Sequence, residues 1–156
     1  MVTVVVDVAN VMGSRPDGWW RDRAGAAARL HAAIVRLAAS GGAILPDDDA
    51  GPDDKAGLDD KAGPAFVLVL EGAAKAAPIP AAPIPAAEPG SADPVQPGEV
   101  RVVHARGSGD DAIVAAVREL PGRRVVVTAD RELRDRSVAA GATILGPSWL
   151  LGQLND

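Results

Sequence analysis

The chain has 156 residues, enough for one hydrophobic core and one domain, and its 47% hydrophobic and 3% aromatic residues predict an aliphatic core. It contains no cysteine, which excludes disulfide bonds, thiolate metal sites and cysteine nucleophiles. The formal net charge is −5, but residues 46–63 hold seven of the 21 acidic and two of the 16 basic residues. The rest of the chain therefore carries 14 acidic and 14 basic residues and is neutral. Its charge does not exclude a nucleic-acid partner.

The first half of the chain predicts a strand, a helix and a second strand. Val2–Val6 is a short run of β-branched residues, typical of a strand buried on both faces. Trp20–Ala39 has apolar residues at helical spacing, and two glycines follow it as a stop signal. Ala65–Leu70 predicts a second buried strand.

The opening segment does not resemble a signal peptide, and no apolar run approaches the length of a membrane helix. We therefore expect a cytoplasmic protein with no membrane partner.

Two segments of low complexity interrupt this pattern, at about residues 46–64 and 74–98. The first repeats the unit AGPDDK as AGLDDK, and the second repeats AAPIP. Neither composition can bury enough apolar surface to offset the entropy of ordering. We interpret both as insertions in surface connections of a single domain that spans residues 1–156, and we assign neither a catalytic role.

The second half of the chain alternates strands with helices. The predicted elements are a strand at Val100–His104, a helix at Asp110–Leu120, a strand at Arg124–Thr128, a helix at Arg131–Ala140, a strand at Thr143–Leu145 and a helix at Ser148–Leu154. Such alternation is typical of a parallel sheet with helices on both faces. We predict a Rossmann-like α/β fold with a sheet of about five strands.

Acidic residues follow four of the predicted strands. They are Asp7, Glu71, the pair Asp110 and Asp111 after a short loop, and Asp130. Because sites in parallel sheets lie at the carboxyl ends of the strands, these acids are expected at one edge. Clustered carboxylates repel one another unless protons or a cation neutralise them. Oxygen ligands favour Mg²⁺ or Mn²⁺, whereas two histidines and no cysteine make a zinc site a poor fit.

Each of these acids also has a purely structural interpretation. Asp7 would then cap or turn the chain after the first strand, Asp130 would cap the helix that begins at Arg131, and Glu71 would be a solvated residue at a strand end. Asp110 and Asp111 would be ordinary acids at the start of a helix, favoured by its dipole. The metal hypothesis depends on the convergence of all four positions.

The segments VVVDVANVMGSRP, LEG, GSGDDAIV and VVVTADREL resemble the NYN/YacP-like branch of the PIN-domain-like ribonucleases. The resemblance covers about residues 1–40, 65–72 and 100–151. It implies a PIN/NYN fold and a metal-dependent ribonuclease with bound Mg²⁺ or Mn²⁺. The residues that match the metal-binding acids of this branch are Asp7, Asp111 and Asp130, with Asp110 as a fourth acid.

The resemblance also implies supporting roles for residues near these acids. Asn10 matches the asparagine of the first motif, which places metal, water or phosphate. Ser108 matches the small hydroxyl residue before the acid pair and is expected to contact substrate. Glu71 is assigned to the metal as well, although many PIN domains take this acid from a helix, so the ligand set stays open at that position.

Arginines flank the first and last motifs and are expected to bind RNA phosphates, because a guanidinium donates two hydrogen bonds in one plane. The two groups are Arg15, Arg21 and Arg23 after the first motif and Arg131, Arg134 and Arg136 after the last, and we assign Arg15, Arg131 and Arg134 to the substrate-binding site. A solvated helix face is the alternative interpretation of both groups.

Three functions remain open at this point. The first is a metal-dependent endoribonuclease that acts on RNA, expected to be single-stranded. The second is a non-catalytic, RNA-binding regulatory module, and the third is a metal-dependent nucleotide phosphohydrolase. The signatures of P-loop and dinucleotide-binding proteins are absent from the sequence. A homodimer and an antitoxin-like partner are both compatible with the first function.

Overall fold

A five-stranded parallel sheet forms the centre of the molecule. The computed structural model describes residues 2–14, 21–40, 64–71, 98–105, 109–120 and 122–154. The strands are β1 (Val2–Asp7), β2 (Ala65–Leu70), β3 (Val100–His104), β4 (Arg123–Val127) and β5 (Thr143–Leu145). Their order across the sheet is β3-β2-β1-β4-β5, and every neighbouring pair is parallel. The predicted α/β fold is confirmed.

Helices cover both faces of the sheet. They are α1 (Val8–Gly13), α2 (Arg23–Ala39), α3 (Gly109–Glu119), α4 (Arg131–Ala139) and α5 (Pro147–Leu154). Successive side chains of a strand point to opposite faces. In β1, Val4 and Val6 pack into a cluster with α1, α2 and α5, whereas Val5 packs into a second cluster with α3 and α4. None of the described helices is long and apolar enough to cross a membrane.

The helix α1 was not predicted from the sequence. It has only six residues, contains two valines and follows β1 without a loop, so its sequence pattern resembles a continuation of the strand. Its buried residues Val8, Val11 and Met12 lie three and four positions apart, which is the helical signal in this segment. The cap that starts this helix is the side chain of Asp7, which accepts a hydrogen bond from the backbone N–H of Asn10.

Several predicted boundaries differ from the structure. Four elements differ by one residue: β1 extends to Asp7, α3 is shifted to Gly109–Glu119, α4 ends at Ala139 and α5 begins at Pro147. The helix expected at Trp20–Ala39 begins at Arg23, because the side chain of Asp22 accepts a hydrogen bond from the Gly25 N–H at 2.9 Å and caps the helix there. The strand expected at Arg124–Thr128 is shifted by one residue, since Arg123 already pairs with β1 and Thr128 lies beyond the last paired residue. The two insertions lie outside the described residues except for their last positions, 64 and 98.

The order of the strands creates a switch point at the centre of the sheet. From β1 the chain proceeds outward to β2 and β3, and it then returns to place β4 on the other side of β1. Connections that leave β1 and β4 therefore diverge, which opens a crevice outside their carboxyl ends, where open α/β sheets bind ligands. Asp7 ends β1 and Thr128 follows β4, so both residues lie at this crevice.

Candidate functional site

Three polar side chains extend the same face of the sheet at its carboxyl edge. Val5, Val69 and Val126 pack under α3 and α4 in three adjacent strands. The residues two positions further along are Asp7, Glu71 and Thr128. Because side chains alternate along a strand, these three polar groups continue the rows that those valines begin. On this face of the sheet, the side chains therefore change from apolar in the core to polar at the carboxyl edge.

Asp7 is the most enclosed of the acids. It is only 7% exposed, and both of its carboxylate oxygens are hydrogen-bonded. Oδ2 accepts from the Thr128 hydroxyl at 3.0 Å, and Oδ1 accepts from the Asn10 N–H at 3.4 Å. Burial raises the pKa of Asp7 to about 6, even though these hydrogen bonds lower it, and repulsion by Asp110 and Glu71 raises it further. The site therefore holds a carboxylate whose negative charge is costly in the absence of a cation.

Thr128 connects two of the predicted acids, and sequence reasoning gave it no role. Its hydroxyl donates to Asp7 and accepts a hydrogen bond from the Asp130 N–H at 3.1 Å. The residue is 1% exposed, so this hydroxyl has exchanged water for two protein partners. The signal that points to it is its place in the motif TAD, one residue before the exposed Ala129 and two before Asp130.

Asn10 ties α1 to the connection between β4 and α4. Its side-chain oxygen accepts a hydrogen bond from the Ala129 N–H at 2.8 Å. The amide oxygen is thus engaged with the backbone that carries Asp130. The prediction that Asn10 places metal, water or phosphate remains a prediction, and the observed contact gives this side chain a role in holding the two sides of the crevice together.

Asp130 caps α4, as its structural interpretation anticipated. Its Oδ1 accepts a hydrogen bond from the Leu133 N–H at 3.0 Å, and the residue is exposed. Asp7 caps α1 in the same way. Capping therefore coexists with clustering at this edge, because a cap orients a carboxylate at the end of a strand, where the neighbouring strand ends also converge.

The adjacent acids Asp110 and Asp111 have different surroundings. The pKa of Asp110 is raised by burial, then by repulsion from Asp130, Glu71 and Glu132, and Arg136 partly offsets these effects. Asp110 also contributes to the raised pKa of Asp7, so it lies within electrostatic reach of the acids at three strand ends. The structure thus brings Asp7, Glu71, Asp110 and Asp130 together at one edge.

Asp111 is directed toward α4 instead. Its side chain is 72% exposed, and Oδ1 accepts a hydrogen bond from Nη2 of Arg136 at 2.8 Å. Its assignment as a metal ligand stays a prediction from the resemblance. Its neighbour Asp110 is the acid of this pair whose charge raises the pKa of Asp7.

The donor set suits a hard divalent cation, but it is not a closed cage. Within the described part of the chain, no group of three or more His, Asp or Glu side chains is arranged to hold one metal ion. Mg²⁺ is commonly bound by one or two carboxylates with water and substrate oxygens completing the shell. The raised pKa of Asp7 and its repulsion by Asp110 are the features that a cation would relieve. The residues present therefore fit a site with few protein ligands.

The predicted substrate-binding residues are only partly described. Arg15 and Ser108 lie outside the described residues. Arg131 and Arg134 are exposed on α4. At about 100° per helical residue, both lie on other sides of the helix from Arg136, which contacts Asp111 and is electrostatically coupled to Asp110. Of the three arginines predicted to follow the last motif, Arg136 is therefore the one that lies beside the acids of α3.

Comparison with solved structures adds one observation. The crystal structure of the W164L mutant of Rae1 (YacP) from Bacillus subtilis matches with a TM-score of 0.55 and 14% sequence identity, covering 99% of this chain and 76% of that chain. The chain adopts the YacP-like NYN fold. This finding confirms the resemblance at the level of the fold. No protein-family model and no curated protein sequence matches the NYN-fold chain.

Proposed function

We propose that this NYN-fold domain is a metal-dependent ribonuclease that hydrolyses phosphodiester bonds of single-stranded RNA. The observation that carries the proposal is the buried carboxylate of Asp7, which faces Asp110 and Glu71 at the switch point of the sheet. A protein retains such mutual repulsion when a cation or a proton relieves it. The YacP-like fold supports the same function. The sequence motifs that carry Asp7, Asp110 and Asp130 also resemble those of NYN ribonucleases.

Asp7 and Asp110 are the residues that would hold Mg²⁺ or Mn²⁺, with water and substrate oxygens completing the shell, and the resemblance adds Asp111 and Asp130. The cation would supply a Lewis acid that activates water and stabilises charge on the phosphate. The chain itself orients the carboxylates. Thr128 holds Oδ2 of Asp7 in a fixed direction and fixes the backbone of Asp130 with the same hydroxyl.

Arg136 would bind a phosphate of the RNA backbone beside these acids. Its guanidinium is 2.8 Å from Asp111, so one side of the group is neutralised by a carboxylate. A guanidinium has five N–H donors in one plane, so the donors that do not bind Asp111 can bind a phosphate oxygen. An arginine next to the metal-binding acids is suited to hold the strand that is cleaved.

The direct test is cleavage of a 5′-labelled unstructured RNA by the purified protein in Mn²⁺ or Mg²⁺. Asp7→Asn and EDTA should each abolish cleavage, whereas the matched variant Asp135→Asn should leave it unchanged. Asp135 is an exposed acid of α4, so its substitution controls for a change in net charge. Cleavage that persists in both Asp7→Asn and EDTA would contradict the proposal. RNA binding without cleavage by the wild-type protein would favour the non-catalytic module.

A further inference from the structure

Glu71 makes a contact that links two distant parts of the chain. It lies one residue beyond the end of β2, and its Oε2 accepts a hydrogen bond from the Gly109 N–H at 2.6 Å, 38 residues later in sequence. Gly109 is the first residue of α3. The first N–H groups of a helix have no partner within the helix, and a carboxylate that accepts from one of them forms a strong, charge-assisted bond.

Gly109 provides the space for this contact. A Cβ atom at this position would lie 2.8 Å from both Cδ and Oε2 of Glu71. Real Cβ atoms are not found at such distances, so any larger residue would push the carboxylate away from the helix. Gly109 is also buried, which leaves little room for the helix itself to move. The acid at position 71 and the glycine at position 109 are therefore matched to each other.

The contact bears directly on the position of Asp110. Gly109 precedes Asp110 in the chain, so the bond that fixes the first residue of α3 also fixes the backbone from which the Asp110 side chain projects. One oxygen of Glu71 is used in this bond. The partial positive charge at the N-terminus of α3 also offsets the negative charge of Glu71.

We propose that Glu71 is a positioning residue that anchors the start of α3 to β2 and thereby sets Asp110 against Asp7, and that it is not a metal ligand. This inference rests on the proposed function, because the arrangement that Glu71 maintains is the proposed metal site. It differs from the role that the resemblance implied for Glu71. The distinction is testable, because a ligand that loses its negative charge binds a divalent cation much more weakly, whereas an anchor needs only a hydrogen-bond acceptor.

Three variants separate the two roles. Glu71→Gln keeps a side-chain oxygen that accepts from the Gly109 N–H but removes the charge. Glu71→Ala removes both, and Gly109→Ala displaces the carboxylate from the helix. Glu132→Gln is the matched control, since Glu132 also raises the pKa of Asp110 but lies on α4 and does not contact Gly109.

The measurements are Mn²⁺ affinity by isothermal titration calorimetry and hydrogen exchange of the Gly109 amide by NMR. Glu71→Gln and Glu132→Gln should retain most of the Mn²⁺ affinity and protect the amide as in the wild-type protein. Glu71→Ala and Gly109→Ala should expose the amide and weaken Mn²⁺ binding about 10- to 100-fold, as is usual for residues that orient metal ligands. If Glu71→Ala does not fold, Glu71→Gln alone still decides between the two roles.

The inference would be overturned if Glu71→Gln lost Mn²⁺ binding to the same extent as Asp7→Asn while the Gly109 amide stayed protected. Glu71 would then be a metal ligand. Failure of the proposed function has a different signature. In that case the wild-type protein and Asp7→Asn would bind Mn²⁺ equally or not at all. Amide exchange in Glu71→Ala and Glu71→Gln would then still establish whether Glu71 anchors α3.

Discussion

At the scale of single residues, the site is built around one enclosed carboxylate. Asp7 accepts hydrogen bonds through both oxygens, yet burial and the nearby acids keep its pKa at about 6. The hydrogen bonds hold the carboxylate in place, and the burial makes its charge unfavourable. A group with this combination destabilises the metal-free protein at neutral pH, which is a common cost of a functional site.

The first prediction concerns the pH dependence of stability without metal. The pKa of Asp7 rises from 3.8 to about 6 on folding, so between these values the folded chain binds a proton that the unfolded chain has released. The contribution of this proton to the free energy of unfolding is present in full below pH 3.8 and is lost as the pH rises through about 6. We expect Asp7→Asn to raise the free energy of unfolding by up to about 3 kcal/mol at pH 7.5 and much less at pH 4.

Urea denaturation of both proteins in EDTA, at a series of pH values, measures this difference. Asp135→Asn serves as the control and should follow the wild-type protein throughout. A lower free energy of unfolding for Asp7→Asn at neutral pH would contradict the account. It would mean that the hydrogen bonds of Asp7 outweigh the cost of its buried charge.

The second prediction concerns the hydroxyl of Thr128. Thr128→Val removes the donor to Asp7 and the acceptor of the Asp130 N–H, whereas Thr128→Ser retains both. Because the lost donor stabilises the charged form of Asp7, the pKa of Asp7 should rise further and Mn²⁺ binding should require a higher pH. Unpaired buried groups should also cost about 1–3 kcal/mol of stability. Calorimetric Mn²⁺ titrations between pH 5.5 and 8 test the shift, and equal profiles for the valine and serine variants would refute it.

At the scale of elements, short contacts between helix ends and strand ends align the acids. Asn10 of α1 binds the backbone that precedes α4, Glu71 beyond β2 binds the start of α3, and Arg136 of α4 binds Asp111 of α3. These contacts connect the elements on both sides of the switch point. The geometry of the site consequently depends on how the helices begin as well as on the sheet.

The third prediction concerns the link between α3 and α4. The pair Arg136–Asp111 is substantially exposed and screened by solvent, so Arg136→Ala should leave the stability almost unchanged. Removal of one phosphate contact should nevertheless weaken binding of single-stranded RNA and reduce the salt slope by about 0.7. Fluorescence anisotropy in EDTA, over a range of salt concentrations, measures both effects. Arg134→Ala is the matched control on the same helix, and an equal or larger effect of that variant would assign phosphate binding to Arg134 instead.

At the scale of the whole molecule, the sequence predicts the layers of the fold better than its details. The bounds of β2, β3 and β5 agree with the predicted strands, because each is a short segment rich in apolar residues, and its length favours a strand over a helix. The brief helix α1 was missed because it follows a strand without a break and offers less than two turns of helical period. The order of the strands has no local signal, since it is set by packing between elements.

The sequence likewise predicts some features of the candidate site and misses others. The acids at the strand ends were identified because strand pattern and residue type coincide there. The contact of Glu71 with α3 and the choice of Arg136 among the three arginines of α4 were not, since the first depends on a glycine 38 residues away and the second on how α4 is rotated against α3. Thr128 lay within a recognised motif, but its two hydrogen bonds arise only when β4 pairs with β1. Contacts between distant segments therefore decided which acids face one another.

The measurement that tests the central claim most directly is anomalous diffraction from crystals soaked in Mn²⁺ above pH 7. A Mn²⁺ peak is expected at the carboxyl ends of β1 and β4, at about 2–2.5 Å from a carboxylate oxygen of Asp7, with Asp110 as a neighbour. The peak should disappear in Asp7→Asn. Crystals of the wild-type protein that show no peak at Asp7, or a peak that survives in Asp7→Asn, would contradict the claim that this acidic edge is a metal site.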